Sequence, residues 1–371
     1  MNNIIIEMDN KFKLIEKYEQ ISELITANLK KGVRTNTAMS REDYEREISH
    51  RSLMAGETPH GLIILRNRPS HIKLNYYIND IGSPIDLVEL EKAIRAEGWN
   101  RSDECCNNKN EQERPSPDKL IVTETAFRER DTALKETVGY LAGCGFEEVL
   151  SRVRLSRPAG APDENAENAV EISPEKVESR EEENSGFTFY VKKSITEDAA
   201  AIRPLLHSSF STITGCLPED DELRLDAAAG NILMLFADND SRAASEAEAE
   251  DLTGTAVKQP PHDSRHPAAV PNVSRHPAAV PNASRHPAAR PCGLLHYAAA
   301  KKSAEIKHLA IAPQMRGKGL SAVLINAFLK ECSGMKTTVW TGSGNAPALN
   351  AYKDCGFTED GRRSSVMIYT K

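Results

Sequence analysis

The chain has 371 residues, 39% hydrophobic and 27% charged, with a mean hydropathy of −0.49. Its length predicts two or three domains, and its polarity predicts that part of it stays outside any packed core. A net charge of −7 argues against a nucleic-acid surface, and no apolar run approaches the length of a membrane span. The seven cysteines are odd in number and irregularly spaced, so they predict reduced thiols in a cytoplasmic protein and no disulfide framework. Ile4, Ile5 and Ile6 form too short an apolar run for the core of a signal segment.

In chain order, residues 11–31 read as a helix with a stripe through Leu14, Tyr18, Ile21 and Ile25, closed by Gly32. Residues 40–55 read as a second helix, with Ser40 and Asp43 as a capping box and Gly56 as its stop. Strands are expected at 61–66 and 72–79 as a hairpin, and a helix at 86–97. Residues 101–118 are polar and turn-rich, which predicts a loop or insert. A strand at 120–124, a helix at 130–144 and a strand at 146–157 follow.

Residues 158–186 are crowded with glutamates and predict a solvated linker. Order resumes with a strand at 187–192, a helix from Thr196 through Phe210, a helix at 218–229 and a strand at 231–237. Glu219, Asp220, Asp221 and Glu222 fill the first turn of that second helix, the usual dipole pattern. Residues 238–292 read as a disordered insert, in which Ser-Arg-His-Pro-Ala-Ala recurs at 264, 274 and 284. His266, His276 and His286 have flexible spacing and no cysteine partners, so they predict a solvated loop and no metal site. Strands at 293–299 and 303–312 follow, then a helix beginning near Leu320, a strand at 336–341, a helix at 346–354 and a final hairpin at 357–370.

Gln314-Met315-Arg316-Gly317-Lys318-Gly319 lies between the strand at 303–312 and the helix through Leu320, Val323, Leu324 and Phe328. A strand, a glycine turn and a helix start make an anion site. The first helical N–H groups lack intrahelical partners, the dipole favours negative charge, and the glycines let a ligand approach the main chain. The turn lacks the Walker spacing. Ala322 could complete a dinucleotide fingerprint, but no acid follows on a second strand about 20 residues on. Downstream stand Asn345, Ala348, Tyr352, Gly356 and Phe357. Together these residues resemble the GNAT superfamily of acyl-CoA-dependent N-acetyltransferases.

The resemblance implies a mixed, mostly antiparallel sheet flanked by helices, an α+β or α/β fold. It covers 187–371 well, apart from the insert, and 60–157 loosely. The order of strands and helices up to 157, with Gly145-Phe146 paralleling Gly356-Phe357, implies a second, degenerate copy. It lacks the phosphate turn, since Asn79 is followed by Asp-Ile-Gly-Ser-Pro-Ile, so it should not hold CoA in the usual way. The expected organisation is a degenerate domain at 1–157, a linker at 158–186 and a transferase domain at 187–371. An unrelated α+β domain in the first half is the alternative.

The resemblance further implies acetyl-CoA as cosubstrate and no metal. Its pyrophosphate would lie on Gln314, Met315, Arg316, Gly317, Lys318, Gly319 and Leu320. Its pantetheine would run along Leu309, Ala310 and Ile311, where this strand often splays from its neighbour at a bulge. Asn345 would bond the pantetheine, or serve as a plain helix cap, or both. Tyr352 would donate a proton to the departing sulfur, and Glu305 would take the amine proton through water. His308, on the opposite face of a regular strand, is the other titratable candidate. Cys332 and Cys355 are expected to be core thiols. The acceptor would be an amine on a small molecule or a protein, with no nucleic-acid or membrane partner; the oligomeric state is open. The alternatives are a catalytically silent acyl-CoA-binding sensor and an interaction module built on the same core.

Overall fold

The computed structural model describes residues 11–31, 33–36, 39–82, 84–99, 119–161, 187–239 and 290–369. The first part of the chain gives β1 (Phe12–Leu14), α1 (Tyr18–Leu29), β2 (Arg34–Thr35), α2 (Arg41–Ser49), β3 (Leu53–Thr58), β4 (Gly61–Asn67), β5 (His71–Ile78), α3 (Leu87–Ala96), β6 (Leu120–Arg128), α4 (Thr132–Gly143) and β7 (Phe146–Arg157). The second gives β8 (Phe187–Lys193), α5 (Ala199–Ser209), α6 (Asp220–Ala228), β9 (Ile232–Asn239), β10 (Arg290–Ala300), β11 (Ser303–Ile311), α7 (Leu320–Glu331), β12 (Lys336–Gly342), α8 (Ala346–Asp354) and β13 (Thr358–Tyr369). The loop at 101–118, the acidic stretch 162–186 and the repeats with His266, His276 and His286 lie outside the described residues.

All the described strands join one mixed, mostly antiparallel sheet of thirteen strands, in the order β1-β3-β4-β5-β6-β13-β7-β12-β11-β10-β9-β8, with β2 paired to β5 off this path. The order is palindromic. Read from either end it passes through antiparallel strands to one parallel pair, β5–β6 or β11–β12, and then to the last strand of the opposite half. The exchange extends into the cores. Val153 and Leu155 of β7 pack in the cluster formed by α7 and β10–β12. Met367 of β13 packs with Ile72, Leu74 and Leu141 of the first half.

Four expectations are corrected. Residues 11–31 are not one helix: Phe12 and Leu14 form an edge strand on β3 before α1 starts. The helix expected at 40–55 stops at Ser49, and Leu53–Thr58 is β3. Gly56 is not its stop; a Cβ there would lie 2.6 Å from the Phe12 ring, so the glycine admits that ring. Residues 358–369 are a single strand flanked by β6 and β7, with a register shift against β7 between Glu359 and Arg363, and no hairpin. The expected insert is also shorter at both ends, because β9 runs to Asn239 and β10 begins at Arg290.

The two halves are tied by buried charge. Glu47 of α2 is 2% exposed and accepts from Arg66 and, at 2.6 Å, from Arg68. Burial opposes its charge, but the two guanidiniums outweigh burial and hold its carboxyl below the usual range. Arg68 continues to Glu219, and Arg46 reaches Glu222 at 3.0 Å. Two of the acids at the start of α6 therefore fasten the second half to the first.

Candidate active site

The two glycines of the turn after β11 both have left-handed backbone, φ +79° at Gly317 and +70° at Gly319. Gly319 caps α7, and Pro313–Met315 form a short 3-10 turn before it. The main-chain N–H groups of Gly317, Gly319, Leu320 and Ser321 find no main-chain acceptor. A Cβ on either glycine would meet nothing of the protein within 4 Å, so the space beside these two glycines is open. Arg316 turns back to donate to the Ile311 carbonyl at 3.1 Å, while Met315 and Leu320 are buried and anchor the turn. Such a cradle of unpaired donors at a helix start suits a pyrophosphate.

Beside it the sheet opens. The parallel ladder of β11 and β12 runs from Ser303–Lys336 to Ile306–Val339 and ends there. Beyond it, Leu309, Ala310 and Ile311 have an edge that β12 does not cover, since β12 turns to pair with β7 alone. The split coincides with a bulge: His296 faces His308, but Tyr297 faces Ile306, leaving Lys307 extra. The bulge reverses the alternation of β11, which corrects the expectation for His308. Glu305 and His308 share one face of the sheet with His296 and Ala298.

That face forms one wall of a cavity of about 1160 Å³. Tyr352, Trp340 and Asn345 border it from the second half; Lys73, Glu124 and Arg152 border it from the first. Tyr352 is 4% exposed, stands edge-on to Phe357 at 5.8 Å, and has its hydroxyl pushed up by burial, so it stays protonated. Asn345 caps α8 by accepting from the Ala348 N–H at 3.2 Å. The Glu305 carboxylate pairs with Lys307 at 2.8 Å. Cys332 and Cys355 are buried.

Sequence reading missed a chain of hydrogen bonds here. The Asp226 carboxylate lies 2.9 Å from His296 Nε2, His296 Nδ1 lies 3.1 Å from His308 Nδ1, and His308 Nε2 lies 2.9 Å from the Gly215 carbonyl. Both ends can only accept when Asp226 is ionised, and His296 holds its carboxyl below the usual range against the effect of burial. Each end nitrogen must then carry a hydrogen, and the central contact needs one more. Burial, reinforced by the neighbouring His296, pushes His308 down to about 4, so His308 stays neutral. Both its nitrogens are committed, and neither is free to receive a proton from an acceptor. The signal was the hairpin register of β10 and β11, which a reading of β11 alone does not supply.

The corresponding groove of the first half is filled. The β5–β6 ladder ends at Lys73–Val122. Asn36 occupies the split, donating to the Glu124 carbonyl at 3.0 Å and accepting from the Tyr76 N–H at 2.8 Å, while β2 pairs along β5 at Tyr77 and Ile78. The β4–β5 ladder has no bulge.

Residues 280–357 match the model of the Acetyltransferase (GNAT) family. Among solved structures, the chain is similar to a GCN5-related N-acetyltransferase from Sphaerobacter thermophilus, with 12% identity, a TM-score of 0.45, and coverage of 97% of this chain and 95% of that one. It is also similar to a tandem GNAT protein from the clavulanic acid biosynthesis pathway, with 10% identity, a TM-score of 0.42, and coverage of 85% and 81%. A GCN5-related N-acetyltransferase from Kribbella flavida gives 13% identity, a TM-score of 0.40, and coverage of 96% and 97%. No curated protein sequence matches. Among the described residues no helix is long and apolar enough to cross a membrane, and no group of side chains is arranged to hold a metal.

Proposed function

We propose that this chain, whose residues 280–357 match the acetyltransferase (GNAT) family model, transfers an acetyl group from acetyl-CoA directly to an amine nitrogen. The observation that carries this reading is the cradle of N–H groups of Gly317, Gly319, Leu320 and Ser321 beside the uncovered edge of β11. The diphosphate would sit on the former, and the pantetheine would add to the latter as an extra strand. Binding energy from this remote part is available to position the thioester.

The reacting carbonyl would then lie at the split, in the cavity shared with Tyr352 and Glu305. As the nitrogen–carbon bond forms, the carbon–sulfur bond breaks. One proton leaves the nitrogen and one arrives at the sulfur. Tyr352, protonated at any physiological pH, is suited to give the second. Glu305 would take the first through water. The first half would not take CoA, because Asn36 and β2 fill its groove. Its role is to complete the acceptor wall. The five described cysteines are free, which fits a cytoplasmic setting.

The pairing of Glu305 with Lys307 and the commitment of both His308 nitrogens favour a second reading, a silent acyl-CoA-binding module. Tyr352→Phe separates the two. For the enzyme, kcat with an amine panel falls by about 100-fold or more while CoA affinity is unchanged. A wild-type protein that binds acetyl-CoA and acetylates no amine would establish the silent module instead.

A further inference from the structure

The segment between α5 and α6 borders the cavity through Phe210, Ser211, Thr214, Gly215 and Cys216. It is a closed turn whose N–H groups are used within it. Ile213 and Thr214 donate to Ser211 Oγ, each at 3.2 Å, and Gly215 donates to the Ser211 carbonyl at 2.7 Å. A Cβ on Gly215 would lie 2.4 Å from that carbonyl oxygen, so the turn closes only on glycine. Three carbonyls are left for donors elsewhere in the fold. Ser70 donates to Thr212 at 3.0 Å, Arg152 donates to Thr214, and His308 Nε2 donates to Gly215 at 2.9 Å.

Both of the last two donors are themselves held. Arg152 is paired with Glu124 at 2.9 Å. The His308 ring has Phe210 edge-on at 5.0 Å and is bonded to His296, which is bonded to Asp226 of α6. The chain of bonds that starts at Gly215 therefore returns to the helix that follows the segment.

These two donors stand on opposite sides of the split. His308 lies on β11 beyond the end of the ladder at Ile306–Val339. Arg152 lies on β7 opposite Gly342, at the end of β12. Consecutive carbonyls thus span the opening. They do so one side chain above the strands, because among the described residues no strand main chain bonds to Thr214 or Gly215.

The first half shows the alternative. Asn36 lies between α1 and α2, as Thr214 and Gly215 lie between α5 and α6. It crosses its split at the level of the strands, donating to the carbonyls of Leu74 on β5 and Glu124 on β6, and the groove is plugged. The height at which this segment is held decides whether a split is open.

We propose that His308 and Arg152 are positioning residues: they hold Thr214–Gly215 as a bridge above the split and so keep open the passage by which the amine reaches the thioester. What passes beneath rests on the transferase reading; the bridge itself does not.

The test uses the full chain and two readouts, hydrogen exchange across residues 210–217 by mass spectrometry and steady-state kinetics with an amine panel. His308→Phe keeps a ring against Phe210 and removes the bond to Gly215. Arg152→Met removes the bond to Thr214 and leaves the histidines in place. Each is expected to speed exchange at 213–215 by about tenfold, the worth of one such bond. Each should also raise the amine KM by about tenfold while kcat changes less than about threefold. His308→Gln, whose amide can still donate to the Gly215 carbonyl, should restore both readouts in large part. Equal exchange in both loss variants at unchanged Tm would overturn the proposal, as would an amine KM that stays constant while exchange rises. A kcat lost alike in His308→Phe and His308→Gln would overturn it too, by making His308 a proton acceptor. If no amine is acetylated, exchange alone decides: faster exchange in the loss variants, reversed in His308→Gln, supports the bridge, and equal exchange overturns it. Absence of turnover by itself counts only against the transferase reading.

Discussion

The two histidines pushed down to about 4, His71 and His308, make a residue-scale prediction about acid stability. Both are neutral in the folded chain and would take up a proton near the ordinary histidine value once unfolded. Between about 6.5 and 4 the unfolded state therefore binds more protons, and stability falls as pH falls. From pH 7 to pH 5 each contributes a loss of about 2 kcal/mol. The depressed carboxyls of Glu47 and Asp226 act in the same direction, but only below the ordinary carboxylate range, so this window belongs to the histidines. His71→Gln should lower the difference between the urea-unfolding free energies at the two pH values by about 2 kcal/mol. A stability constant across the window would mean that these rings are hydrated or already charged in the native state. His308 also shows what a residue read alone conceals. Its place on a strand beside the glycine turn was legible, whereas its face and its partner depend on a bulge at Lys307 and on His296 across the hairpin.

At the scale of elements, the turn and α7 were legible because their determinants are local: two glycines one residue apart, a strand before them and an amphipathic helix after them. Gly319→Val puts a β-branched side chain at φ +70°, at a cost of roughly 1–2 kcal/mol in the backbone. It also fills space that no protein atom occupies. The expected outcome is a small drop in Tm with CoA binding weakened tenfold or more by calorimetry; unchanged affinity would remove the cradle from the account. The same titration should give one CoA per chain, since Asn36 and β2 fill the other groove. Elements whose determinants are distant were misread. Gly56 looked like a helix stop, but it is glycine because Phe12 packs onto it. Asp360-Gly361, a dipeptide favoured in two-residue turns, lies within the hairpin expected at 357–370. It is instead a bulge within β13, and Asp360 is held by Arg154 of β7, a residue more than 200 positions away.

At the scale of the molecule, the palindromic sheet makes the halves interdependent, and no local pattern encodes this. β13 leaves its own half to lie between β6 and β7, and β7 lies against β12. Leu155 is fully buried in one core and Met367 nearly so in the other, each supplied by the opposite half. Without its partner, each half would present an unpaired strand edge and lose a large apolar side chain from its core, a loss of about 2–5 kcal/mol for that side chain alone. Intact protein should then unfold in one calorimetric transition, with the van't Hoff and calorimetric enthalpies equal. Residues 1–161 and 187–371 expressed separately should each aggregate or form exchanged dimers, and expressed together they should assemble one to one and regain the thermal profile of the intact chain. A monomeric, cooperatively folding 187–371 would show that β12 can close its sheet without β7, and the first half would then be an attachment to the second half and no structural part of it.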